Sequence, residues 1–247
     1  MKFKKYLIAI LCTFIVVAGT HYLIQQFTAP SSSSSEHPTS GAYQFEGKHN
    51  IKNSTYFAAP DFYNMKSNKN LVILSNFKTR QQRTGYTCAP VAAAMVAEHF
   101  LGNCPNTEME IAKIMSTSQY NGTTIKGVVK YFEHLGWNVE SSANNTSPKN
   151  YKDFLWFVQQ HLHKGIPIIV ENVEWGGHYR VIIGYDTMGT DYTGDDVLIM
   201  ADSFDLADQV QDGYNVENAQ KFFYMWFDAK LFSSWEQATP WVAAWPK

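Results

Sequence analysis

The chain has 247 residues, 45% of them hydrophobic and 17% charged. That is an ordinary globular composition, with material for one domain of about 190 residues once an N-terminal piece is set aside. The formal charge is -2 and the basic residues are scattered along the chain, which excludes the basic stripe of a nucleic-acid binder; no repeat of fixed period is visible.

Lys2, Lys4 and Lys5 precede an apolar run from Tyr6 to Gly19, the pattern of a secretory signal, with Val17-Ala18-Gly19 as a small-residue cleavage site. Tyr22, Leu23 and Ile24 lengthen the run to about 19 residues, enough to span a bilayer. Residues 1–26 are therefore expected to be a signal peptide or a signal anchor. The protein is expected to be exported, either periplasmic or extracellular, or held in the membrane by residues 6–24. Cys12 follows Leu11, a large residue, which argues against lipoprotein acylation. Residues 27–55, with the serine run Ser31 to Ser35, read as a flexible Ser/Pro-rich linker. The folded domain is expected over 56–247. It is loop-rich as far as Asn70, and Leu71 to Leu74 then form a short strand.

The next stretch, Gln82 to Val96, organises the rest. A polar loop runs into Cys88, and Cys88 opens a small-residue apolar helix over Ala89–Leu101 that Gly102 ends. Pro90 suits a first helical turn, where its missing N–H has no intrahelical partner. A cysteine there faces unpaired backbone N–H groups at the positive end of the helix dipole, and both favour the nucleophilic thiolate. If the helix forms, Cys88 and Cys104 lie about 18–20 Å apart at 1.5 Å per residue. A disulfide needs Cα atoms within about 7 Å, so both thiols are expected to stay free.

Thr107 with Glu110 forms a capping box for a second helix. Thr124 caps a third, with Val128, Val129, Phe132 and Leu135 on one stripe before Gly136. Ser147-Pro148 opens a fourth, with Phe154, Leu155, Val158 and Leu162 inward and Gly165 at its end. The period then changes to strands at Ile166–Val170, His178–Tyr185 and Val197–Ala201. Helices followed by strands predict an α+β domain with an antiparallel sheet. The tail from Phe222 to Trp245 is rich in Phe and Trp, and most of it is expected to pack back on the domain.

A thiolate in acyl transfer needs a base, a group that orients the base, and donors for the oxyanion. His178 follows Gly176-Gly177 and opens a strand. If that strand and the next meet across the Asp186–Asp196 link, His178 falls opposite the segment Asp202–Phe204. Cross-strand neighbours come within about 5 Å, so Asp202 is placed to hold the imidazole. Gln82, in the loop before Cys88, offers a side-chain amide for an oxyanion hole beside the Cys88 backbone N–H. Its neighbour Gln81 reads equally well as an exposed loop residue.

Gln82 and Cys88 at a helix start, the later Gly177-His178-Tyr179 with Ile183-Gly184-Tyr185-Asp186, and Asp202 after the next strand together resemble the papain-like cysteine peptidases. More narrowly they resemble peptidase family thirty-nine, the bacteriocin-processing double-glycine type, and its stand-alone relatives. The likeness runs from about Gln82 to Asp202. It implies a papain-like fold, in which an N-terminal helical part carrying the nucleophile helix packs on a C-terminal antiparallel sheet. It also implies Cys88 as nucleophile, His178 as general base, Asp202 as orienting residue and Gln82 as oxyanion donor, with a peptide or protein substrate and no cofactor. Where the family usually has Cys-Gly-Pro, this chain has Cys88-Ala89-Pro90. The processing peptidases are domains of export transporters, and nothing in these residues resembles a transporter, so double-glycine specificity is not carried over.

Two other readings compete. A phytochelatin-synthase-like transpeptidase would share the acyl-enzyme and pass a γ-glutamylcysteine unit to a thiol peptide. A non-catalytic peptide-binding module would keep the scaffold and lose part of the triad, and no member is missing. Metal binding is not expected. His161 and His163 point apart on a helix, and Asp191, Asp195 and Asp196 lack the spacing of a calcium loop.

Overall fold

The computed structural model describes residues 41–45, 51, 54–228 and 239–247. The expected signal segment and most of the 27–55 linker lie outside them. Among the described residues, no helix is long and apolar enough to cross a membrane.

The first major helix, α1 (Cys88–Leu101), is buried from Cys88 through Ala97. Its apolar residues go all the way round, which suits a helix enclosed by its own domain. The small Ala92, Ala93 and Ala94 let it lie close to its neighbours; enlarging one would cost about 1–3 kcal/mol in overpacking. Gly102 ends it in the left-handed conformation, with its N–H on the Glu98 carbonyl. The helix α2 (Glu108–Met115) starts with the reciprocal Thr107–Glu110 capping box. In α3 (Ile125–His134) the Thr124 hydroxyl accepts from the Gly127 N–H. The apolar stripe of α3 faces inward, with Val128 and Phe132 fully enclosed.

The fourth helix, α4 (Tyr151–His163), begins later than the sequence suggests. Asn150 is its cap and accepts from the Asp153 N–H at 3.0 Å. Ser147 is occupied elsewhere, donating to the Thr239 carbonyl and accepting from the Trp241 indole N–H. A short helix, α5 (Ala219–Met225), follows the strands.

Among the described residues, seven antiparallel strands make one sheet: β1 (Leu71–Ile73), β2 (Asn138–Ser141), β3 (Ile168–Asn172), β4 (His178–Asp186), β5 (Val197–Asp202), β6 (Tyr214–Asn218) and β7 (Trp241–Trp245). Their order is β2-β7-β3-β4-β5-β6, and β1 pairs with the far end of β4. The central strand β4 is buried from His178 to Tyr185, as its nearly unbroken apolar run requires. Gly184 marks the irregularity in its pairing with β5; a Cβ there would press on the Ile199 side chain at 3.1 Å. The strands β2, β6 and β7 are not legible as such in the sequence. The described part of the aromatic tail is built into the domain: Trp226 and Trp241 are buried, and β7 lies between β2 and β3.

One boundary is corrected. Gly41–Tyr43, inside the expected 27–55 linker, are docked on the loop that leads to Cys88. The Gly41 N–H donates to the Arg83 carbonyl and the Tyr43 N–H to the Gln82 carbonyl, both at 2.8 Å. Glycine is required by the closeness of this contact, since a Cβ on Gly41 would sit 2.4 Å from the Gln82 carbonyl oxygen.

Candidate active site

Cys88 is the first residue of α1, and its sulfur meets the backbone N–H groups of Ala89 and Tyr179 as well as the His178 side chain. Burial alone would push this thiol up. The hydrogen bond and charge of His178, helped by the two N–H groups, outweigh burial and hold the thiol below its usual value.

His178 is the first residue of β4, and its Nε2 lies 2.7 Å from Asp202 Oδ1. With Nε2 committed to Asp202, Nδ1 is the ring nitrogen left for the sulfur. The strand register explains this geometry. Arg180 pairs directly with Asp202, so His178 is the diagonal neighbour of Asp202 on the same face, not its direct partner. Burial favours the neutral imidazole, but the Asp202 carboxylate and the Cys88 sulfur override it and push His178 up to about 10. Asp202 is held below the usual carboxylate range despite burial, by His178 first and then by Arg180 and the Phe204 N–H. Together these shifts favour a thiolate–imidazolium pair across neutral pH.

The glutamines divide the supporting work. Gln81, readable in sequence as an exposed residue, is buried, donates to the Asp202 carbonyl at 3.0 Å and accepts from the Asp205 N–H at 3.1 Å. Gln82 is buried in the same loop. Its amide N–H₂ donates to the Thr84 carbonyl at 2.8 Å, and its oxygen accepts from the Ser203 hydroxyl at 2.8 Å. Its backbone N–H donates to the Ser203 carbonyl at 2.8 Å. The structure thus brings Cys88, His178 and Asp202 together and ties Gln82 into the wall beside them. One amide proton of Gln82 goes to Thr84, leaving the second for other use.

A family model, the Peptidase_C39 like family, matches residues 74–231. The chain belongs to this family. Cys88, His178 and Asp202 all fall inside the matched span. Among solved structures, the chain is similar to the peptidase domain of Streptococcus ComA, described as a bi-functional ABC transporter involved in a quorum sensing pathway. The identity is 18% over 69% of this chain and 99% of that one, with a TM-score of 0.45. The peptidase domain of Streptococcus mutans ComA is similar at 15% identity over 69% of this chain and 100% of that one, with a TM-score of 0.33. No curated protein matches the chain. The fold is the expected α+β one, with helices packed on an antiparallel sheet and the candidate nucleophile at a helix start.

Several residues of the site carry no signal in the sequence. Glu171 on β3 lies opposite Tyr179, and both it and Asp228 are buried. Burial, the Asp228 carboxylate and the Cys88 sulfur push Glu171 up to about 9, so it keeps its proton at neutral pH. Asn172 lies directly opposite His178, fully buried. Arg180 is buried between Glu217 at 2.8 Å and Glu174 at 3.3 Å. A polar residue in a mostly apolar strand is the only sequence cue to any of them. Among the described residues no cluster of His, Cys, Asp and Glu is arranged to hold a metal.

Proposed function

We propose that this C39-like chain is a cysteine hydrolase that cleaves a peptide or another amide through an acyl-enzyme on Cys88. The observation that carries this reading is the buried His178–Asp202 contact of 2.7 Å with the Cys88 sulfur on the other side of the same imidazole. The Cys88 thiolate attacks the carbonyl carbon and the S–C bond forms. The negative charge moves to the carbonyl oxygen, facing the Cys88 backbone N–H and the second amide proton of Gln82. The His178 imidazolium then gives its proton to the leaving nitrogen as the C–N bond breaks. In the second half, water attacks the thioester, His178 takes the water's proton, and the C–S bond breaks to restore the thiolate. Asp202 holds the ring and stabilises its cation throughout. We place the enzyme outside the cytoplasm, exported or tethered by residues 1–26, on the strength of the basic and apolar N-terminal pattern.

The test is labelling of the full chain with a small thiol-reactive electrophile from about pH 4 to about pH 9, read by intact mass and peptide mapping. Rapid labelling of Cys88 near pH 5, lost in His178→Ala, is the expected result. Labelling that rises only near pH 8.5, or that prefers Cys104, overturns the reading.

A further inference from the structure

Against Asp202, the partner of His178, lies a cleft of about 360 Å³ whose walls include Glu174, Trp175, Asp202, Phe204, Leu206 and Asn215. That volume lies within the usual ~300–1,000 Å³ of ligand sites. Its apolar surface is held open to solvent: Trp175 is 71% and Leu206 52% exposed. The Trp175 and Phe204 rings lie 5.6 Å apart, and the Phe204 ring meets His178 edge-on at 6.4 Å.

Trp175 is held there at a cost. Its φ of 54° is left-handed, which a bulky aromatic rarely adopts, and Gly176 and Gly177 continue with positive φ into His178. The turn is pinned by the Gly177 N–H on the Glu174 carbonyl at 2.8 Å. An exposed indole fixed by a strained turn and packed on Phe204 is a wall placed for contact with something bound.

The carboxylates that line the cleft have cationic partners. Glu174 and Glu217 face Arg180, Lys221 reaches Glu217 at 3.7 Å, and Asp202 faces His178. The two lining carboxylates, Glu174 and Asp202, are already paired with Arg180 and His178, and burying a further charge unpaired is costly. The direction of the substrate follows from the chemistry. The acyl group is bonded to sulfur on one side of the imidazole, and the leaving nitrogen must reach that ring for its proton. The residue carrying this nitrogen therefore lies beside the His178 ring, whose edge-on neighbour Phe204 is one wall of the cleft.

We propose that this cleft receives the residue that follows the scissile bond and selects a neutral, apolar side chain there, with Trp175 as the specificity-determining wall. This deepens the thiol-hydrolase reading and rests on it.

The test uses the full chain, an activated ester as acyl donor, and the amides of phenylalanine, leucine, glycine and arginine as acceptors competing with water. In aminolysis the amine attacks the thioester, His178 takes its proton and the C–S bond breaks, so the acceptor occupies the place of the leaving group in reverse. The expected result is roughly tenfold higher partitioning to the phenylalanine and leucine amides than to those of glycine and arginine. Trp175→Ala should reduce this preference to within about twofold, and Leu206→Asn on another wall should weaken it as well. Equal partitioning to all four amides, or a preference that survives both substitutions, overturns the inference while leaving the hydrolase intact. Absence of any thioester on Cys88 overturns the hydrolase reading, and this inference with it.

Discussion

Two buried carboxyls, Asp202 on β5 and Glu171 on β3, both influence or respond to the site around Cys88, and they end in opposite protonation states. Both are almost wholly enclosed, so desolvation pushes each upward. Asp202 meets the His178 ring at 2.7 Å and the Phe204 N–H at 2.8 Å, and stays ionised. Glu171 meets another carboxyl, Asp228, and keeps its proton up to about 9. Burial lifts both, Asp228 adds to the lift on Glu171, and His178 brings Asp202 back down. Carboxyls set apart in this way by their surroundings are suited to different tasks: one holds a cation, while the other adds no negative charge beside a thiolate.

The largest expected effect comes from breaking the Asp202 side. Asp202→Asn should lower kcat/KM by about 10²- to 10⁴-fold, because the ring loses its orienting charge. The alkaline limb of the pH profile should also move down, since His178 owes its high value of about 10 chiefly to Asp202 among the groups that raise it. An unshifted alkaline limb would mean that another group sets it. Next comes Gln81→Ala, which removes the donor to the Asp202 carbonyl and the acceptor for the Asp205 N–H. A loss of about 1–3 kcal/mol is expected in urea unfolding. With it should come a kcat lowered more than KM is raised, because the residue positions Asp202 and touches no substrate.

A last comparison, read in stability, sharpens the Glu171 side. The folded protein holds a proton on Glu171 up to about pH 9, whereas the unfolded chain releases it near the ordinary carboxyl value of 4.5. More protons are bound in the folded state across that window, so this group's stabilising contribution falls as pH rises through it. Glu171→Gln keeps the shape and removes the titration. Its urea midpoint should match the parent near pH 5 and exceed it increasingly towards pH 9. Asp205, also raised to about 7, is present in both proteins and cancels in the difference. Parallel midpoints across the range would show that Glu171 does not titrate there.

The sequence makes the Asp202 side legible and hides the Glu171 side. Cys88 is visible because a helix start has its own grammar of Pro90, small residues and Gly102. The relation of His178 to Asp202 follows from counting along two strands about a short link, an estimate that the observed register refines to a diagonal contact. The capping box at Thr107 is legible because both of its groups are local in sequence. Glu171 and Asp228 are far apart along the chain, and nothing local brings them together. The start of α4 is misread for a related reason, since Ser147 resembles a cap until Trp241 claims its hydroxyl. The strand β7 escapes because Trp241-Val242-Ala243-Ala244-Trp245 is buried on both faces and shows no alternation.

That strand also orders events in time. It fills the gap between β2 and β3, where Val139 pairs with Ala244 and Ile169 with Val242. A nascent chain long enough to include Cys88, His178 and Asp202 still has an open seam in its sheet until Trp241–Trp245 has been made. Closing that seam joins segments far apart in sequence, a slow kind of step that leaves strand edges exposed meanwhile. The candidate nucleophile is thus among the first parts of the domain to be synthesised, and the sheet that carries His178 is among the last to be finished.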